Sequence, residues 1–233
     1  MDLFDPLFWT ALMTIIGVNI VLSGDNAVVI ALASRSLRAD QRKKAIFWGS
    51  AAAIVLRVIL TVFAVKLLQL PWLKIVGALL LLWIGVKLLI PEDDDANIAG
   101  HEHLGAAIKT ILIADLVMSL DNVIAVAAAA KDNIVLLVLG LTISIPLIIF
   151  SSTILLKLMD RFPIIITIGA ALLGFVAGDM LITDPATKSW VDQNAAWMHY
   201  SIPLLGAAFV VGLGLLLAKR HHAASSGSSV SVP

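Results

Sequence analysis

Two short segments hold the residues most able to do chemistry. NIVLSGDNAVVIALA at 19–33 aligns without gaps to DLVMSLDNVIAVAAA at 115–129. Asn19 then matches Asp115, Ser23 matches Ser119, Asp25 matches Asp121 and Asn26 matches Asn122. Spacings of four and three put Asn19, Ser23 and Asn26 along one helix face, and Asp115, Ser119 and Asn122 along another. Asp25 and Asp121 are turned by about 100° from the adjacent asparagines on a regular helix. Either they reach a shared site from its edge, or the helix loosens locally. Gly24 eases loosening in the first copy, whereas Leu120 offers the second no such freedom. Carboxylate, amide and hydroxyl oxygens together suit a hard or borderline divalent cation such as Mn²⁺ or Mg²⁺, held by about six oxygens, some of them water. A soft metal would call for cysteine or several methionines. The chain has no cysteine, and Met118 is the only thioether beside the motifs.

A plainer role competes with this one. Serine and asparagine within a helix bundle often make interhelical hydrogen bonds of about 1 kcal/mol that serve packing alone. Aspartates fit that role badly, since an ionised carboxylate at bilayer centre costs about 3 kcal/mol even on insertion scales. Such residues pair, line an aqueous path or change protonation. Arg57 falls in mid-segment, too deep to snorkel to a surface. It is expected either as a fixed counter-charge for one aspartate or as the occupant of the cation position when the site is empty. Asp179 follows the small-residue ladder Ala170, Gly174 and Gly178, and lies near enough to the end of its segment to reach water. His101 and His103, beside the acids at 92–95, are expected on a flexible solvated loop, and His221 and His222 at a headgroup edge.

These residues need a membrane to position them. Of 233 residues, 60% are hydrophobic and only 14% charged, against about 25% charge in a soluble domain. Seven stretches match the roughly 20 apolar residues of a spanning helix: 7–33, 45–66, 72–90, 107–130, 134–156, 162–182 and 201–219. Unsatisfied backbone groups in hydrocarbon exclude irregular structure, and the runs are too long for barrel strands. The expected fold is therefore all-α and multi-pass, one transmembrane domain over 1–220 followed by a disordered cytoplasmic tail at 221–233. With 16 basic and 16 acidic residues and no basic tract, nucleic acid is not an expected partner. The acidic N-terminus lacks the positive region of a signal peptide.

Positive charge orients the chain. Arg35, Arg38, Arg42, Lys43, Lys44, Lys87, Lys109, Lys157, Arg161, Lys219 and Arg220 fall on one side, eleven in all. Lys66, Lys74, Lys131 and Lys188, four in all, fall on the other. The N-terminus is thus expected outside and the C-terminus in the cytoplasm. Trp9, Trp48 and Trp72 stand near span ends as interfacial anchors, and Trp190 and Trp197 occupy the outer loop at 183–199.

The repeat continues beyond the motifs, with GALLLLWIG from Gly77 echoed by GAALLGFVAG from Gly169. Three spans separate corresponding helices, so the halves, about 7–90 and 107–182, run in opposite directions. That is the inverted-repeat plan of many secondary transporters, whose substrate site lies at midplane between the halves. The seventh helix, 201–219, lies outside the repeat and offers the small residues of GAAFVVGLG for close packing.

The doubled motif, GDNAVVIALA after Ser23 and SLDNVIAVAAA from Ser119, resembles the TerC family of integral membrane proteins, most closely its short YjbE-type branch. The resemblance covers about residues 7–219. It implies a member of the lysine-exporter superfamily in the bacterial inner membrane, exporting Mn²⁺ as its substrate and needing no cofactor. It places the family's motif residues on Asp25, Asn26, Asp121 and Asn122, with Asn19 and Asp115 at the preceding position. Proton antiport is the simplest source of energy, there being no nucleotide-binding loop. Two other readings stay open: an accessory protein of metal, tellurite or envelope-stress tolerance, and an intramembrane aspartyl enzyme. No span contains a histidine to serve as a general base for Ser23 or Ser119, so the expectation is a protein that is not an enzyme.

Overall fold

In a computed structural model the protein is described at all residues except 1–5, 23, 68–69, 91–99, 131–132 and 228–233. The described residues form helices and no strand: α1 (Pro6–Leu22), α2 (Gly24–Ser34), α3 (Ala39–Leu67), α4 (Leu73–Leu89), α5 (Gly100–Ala130), α6 (Ile134–Arg161), α7 (Ile164–Thr183), α8 (Lys188–Asn194) and α9 (Met198–Gly227). Sequence accounts for several ends. Pro6 opens α1, where a missing N–H costs nothing. Asn133 caps α6 by accepting the Leu136 N–H at 3.1 Å. Pro163 stands just before α7.

Among the described residues, five helical stretches are long and apolar enough to cross a bilayer: Ala39–Thr61, His103–Leu120, Val135–Arg161, Ile164–Thr183 and Met198–His221. The expected first span is broken into α1 and α2, whose segments Phe8–Asn19 and Gly24–Ser34 are inclined by 48° and make a sixth span if taken together. Helix α4, at 17 residues, is about 26 Å long by its rise and falls just short of a hydrocarbon core of about 30 Å. Length and composition therefore give five or six spans where seven were expected. Other boundaries also differ. Helix α5 starts at Gly100, so His101 and His103 stand on its first turns and not on a loop. Helix α9 runs to Gly227, into the segment expected to be disordered. The acids at 92–95 lie outside the described residues.

Helix α3 packs on α5, α1 and α2 pack on α6, α4 packs on α7, and α9 covers α7 and α4. Glycines set the closest approaches. A side chain at Gly174 or Gly178 of α7 would overlap the α9 backbone at Gly206–Ala207 or Ile202–Pro203, so the ladder does bring a neighbour close. Gly49 of α3 lies against Ile111 of α5, and Gly140 of α6 lies against Ile15 of α1. Ile15 and Ile111 are 96 residues apart, the same offset as the two D-N motifs. A second correspondence concerns buried hydroxyls. Thr61 Oγ1 donates to the Arg57 carbonyl at 2.7 Å, and Ser152 Oγ donates to the Ile148 carbonyl at 2.7 Å. Both Gly49–Gly140 and Thr61–Ser152 are 91 residues apart. Register along α3 and α6 thus makes Ile148 the counterpart of Arg57.

Beyond the membrane-crossing segments, Asp184 ties the loop after α7 to the start of α4. Its carboxylate accepts the N–H groups of Trp72 at 2.9 Å, Lys74 at 3.0 Å, Ile75 at 3.4 Å and Ala186 at 2.7 Å. The group is excluded from solvent, though close to the molecular surface. Burial pushes its pKa up, but the backbone donors outweigh burial and hold it below the ordinary value of 3.8. Trp72 has φ 72°, a left-handed conformation costly for a bulky residue. Its bond to Asp184 holds it there.

Candidate functional site

Helix α3 carries Arg57 into the apolar bundle with 1% of its surface exposed. Three donors of its guanidinium are engaged. Nε donates to Ser119 Oγ at 3.0 Å, one terminal nitrogen donates to Asn19 Oδ1 at 2.9 Å, and the other to Asp115 Oδ1 at 2.5 Å. Ser119 Oγ in turn donates to Asp115 Oδ2 at 3.2 Å. Asp115 and Ser119 are one turn apart on α5, which aims both at the same point. Asn19 approaches from α1, one turn before that helix ends. Each partner is buried: Asn19 and Ser119 at 0% exposure, Asp115 at 6%. The rigid fork of arginine suits such a cage, because several donors are satisfied for a single ordered side chain.

The broken first span positions Asp25. It lies in the first turn of α2, where a helix dipole favours a carboxylate, and its Oδ1 accepts the Asn26 N–H at 2.8 Å. Asp25 is half-buried and within electrostatic reach of Arg57 and Asp115. Asn26 beside it is buried. The helix is interrupted between Leu22 and Gly24, whereas α5 continues unbroken past Leu120 and Asp121. The structure therefore gathers Asn19, Arg57, Asp115 and Ser119 in one bonded group with Asp25 near it. Ser23 and the side chain of Asp121 lie outside the described residues. Asn122 is half-buried on α5 and Asp179 half-buried on α7, the latter with its carbonyl accepting Thr183 Oγ1 at 3.0 Å. Among the described residues, no three carboxylate, imidazole or thiol groups stand together as a ligand set for a metal.

The sequence motif did not include Thr61, which is buried and bonded to the Arg57 carbonyl. Its signal was the four-residue spacing from an arginine in mid-span. The register of α3 on α6 shows a further pattern. At offsets of 91 and 96 residues, the positions matching Arg57 and Asp115 hold Ile148 and Asn19, two neutral residues. The charge change at Asp115 is thus matched by one at Arg57, although the two lie on different helices.

The family model for the integral membrane protein TerC family matches residues 4–222. The chain is 41% identical to the membrane protein YjbE of Bacillus subtilis over 201 residues, 86% of this chain and 92% of that one. It is 26% identical to YceF of the same organism over 227 residues, 91% of this chain and 83% of that one. Inner membrane protein YgdQ of Escherichia coli is 26% identical over 178 residues, 68% of this chain and 74% of that one. No solved structure matches the chain. The match across nearly the whole length, with both D-N segments inside it, makes this multi-pass chain a member of the integral membrane protein TerC family.

Proposed function

We propose that this protein is a secondary transporter that exports Mn²⁺ from the cytoplasm through a midplane site between two inverted halves. The observation that carries the reading is the guanidinium of Arg57. It is a cation already held by Asp115 and Asn19, two of the oxygen donors assigned to the metal from sequence, and by Ser119, given a supporting role beside them. A cage that solvates one cation in hydrocarbon has the chemistry to solvate another. In this reading Arg57 neutralises Asp115 in the empty protein, and an entering metal takes its oxygens from Asp25, Asn26, Asp121 and Asn122 together with those that Arg57 releases. The matched pairs Gly49–Ile111 and Gly140–Ile15 support the two-fold repeat, and α4 supplies the remaining span, completing seven. In purified proteoliposomes, Asp25→Asn and Asp121→Asn are each expected to insert normally and to lose Mn²⁺ flux by at least tenfold. Unchanged flux in both would place the transport site elsewhere or remove transport altogether.

The eleven-to-four distribution of basic residues supports an inner-membrane orientation with the N-terminus outside. The natural absence of cysteine makes the orientation testable by single Asp2→Cys and Ser226→Cys variants. An impermeant thiol reagent on intact cells is expected to label the first and not the second; the reverse result overturns this orientation.

A further inference from the structure

We infer that the C-terminal end of α4 is a binding site for one anionic phospholipid, seated with an acyl chain between α4 and α9 and its phosphate beside Lys87. Two adjoining hollows carry the inference. The first is an apolar groove of about 460 Å³, lined by Leu79, Trp83 and Val86 of α4 and by Phe209, Leu213 and Leu217 of α9. The α9 residues recur every four positions and so form one face. Leu79, Trp83 and Phe209 are each more than half exposed, while Val86 is 8% exposed and forms the floor. The second hollow is a half-open pocket of about 50 Å³, lined by Arg35 after α2, Lys87 of α4 and His103 of α5. Trp83, Lys87 and Ile90 line both, so the groove opens directly onto the pocket.

Chemistry along this path changes once, from hydrocarbon to cationic. Lys87 sits at the join, in the last turn of α4, with Nζ 5.5 Å from the centre of the Trp83 ring. Lysine held over an interfacial tryptophan is placed at headgroup level, with its stem on apolar surface. No acidic residue is among the described residues lining either hollow. Lys219 and Arg220 follow Leu217 within one turn of α9, on exposed positions. The feature therefore complements an occupant with a long apolar chain on one side and a negative charge on the other. A basic pocket between transmembrane helices is where lipid phosphate is held. A zwitterionic lipid would bring its own cation into the same cluster, which is why the occupant is anionic.

Native mass spectrometry and thermal unfolding of the full-length protein test the site with phosphatidylglycerol and phosphatidylcholine of the same acyl chains. Phosphatidylglycerol is expected to bind at least tenfold more tightly and to raise the unfolding temperature, an effect that Lys87→Gln with Arg35→Gln reduces to the phosphatidylcholine level and Lys87→Arg preserves. Glycerol phosphate, which has the charge without the chain, is expected not to bind at the same concentration. Equal binding of the two lipids overturns the site as a charge-selective one. Stabilisation by glycerol phosphate alone would leave a simple anion pocket and overturn the lipid. Should the double variant fail to fold, filling the groove with Leu213→Trp must abolish the preference between lipids, and its persistence rejects the groove.

Discussion

Arg57 poses the clearest energetic problem in the molecule. Its pair with Asp115 is excluded from water, with side-chain exposures of 1% and 7%, and desolvation of two such charges offsets much of their attraction. Removing one partner leaves the other buried and uncompensated, at a cost of about 3–5 kcal/mol. Arg57→Ile is therefore expected to lower thermal stability in detergent markedly. The residues at the matching offsets, Ile148 and Asn19, give a way to repair it. Arg57→Ile with Asp115→Asn reproduces that neutral pair, and is expected to recover most of the loss. A double variant no more stable than the single one would mean that the damage comes from packing and not from the orphaned carboxylate. The transport reading makes a separate demand. The double variant, though stable, lacks the tethered cation and one carboxylate, and its Mn²⁺ flux is expected to fall. At this scale the sequence was informative about residue types: an arginine, three aspartates and three amides in mid-span. It could not show which of them meet, since Arg57 and Asp115 are 58 positions apart and either of the other aspartates was an equally good partner.

Among the helices, apolar length was readable and the joints were not. Gly24 marked one of two ways to aim Asp25, and α2 begins at it, inclined by 48° to the segment before. The expected span at 72–90 placed the start of α4 within a residue, but nothing local announced how that start is capped. Its first N–H groups are satisfied by Asp184, more than a hundred positions away, while the nearest residue, Trp72, is forced into a left-handed turn. The only hint was Asp184-Pro185, a turn-forming pair whose carboxylate also accepts the N–H two residues on. This cap gives a prediction of known sign. The folded-state pKa of Asp184 lies below its ordinary value of 3.8, so its stabilisation is fully present above about pH 4 and is lost as pH falls through the folded value. Asp184→Ala is expected to cost about 2–3 kcal/mol at neutral pH, the scale of hydrogen bonds to a charged group. Thermal melts from pH 7 to pH 3 should show the gap between the two proteins narrowing only in the acid range. A constant gap would assign the loss to side-chain packing alone.

For the whole molecule, the proposed export must be driven. A divalent cation leaving against an inside-negative potential requires about 4.6 kcal/mol per 100 mV, from about 2.3 for each charge. The fold holds Asp115 against Arg57, so in the proposed cycle Asp25 and Asp121 are the carboxylates that meet the metal. Two ionised carboxylates near bilayer centre balance one Mn²⁺. When the metal has gone they are costly to bury, and two protons balance them equally well. Alternation of the two halves about such a site would exchange one metal ion for two protons, with no net charge crossing the membrane. Voltage then does no work on the cycle, and the proton gradient alone drives it. Proteoliposomes with opposed pH gradients, at a series of clamped potentials, separate this mechanism from its rivals. Mn²⁺ is expected to move against its own gradient when protons move with theirs, with two protons counted per metal ion and a rate indifferent to potential. Asp25→Asn should abolish both flows together. A flux that follows voltage and the Mn²⁺ gradient while ignoring pH would eliminate antiport, and would assign neutralisation of the empty site to Arg57 instead.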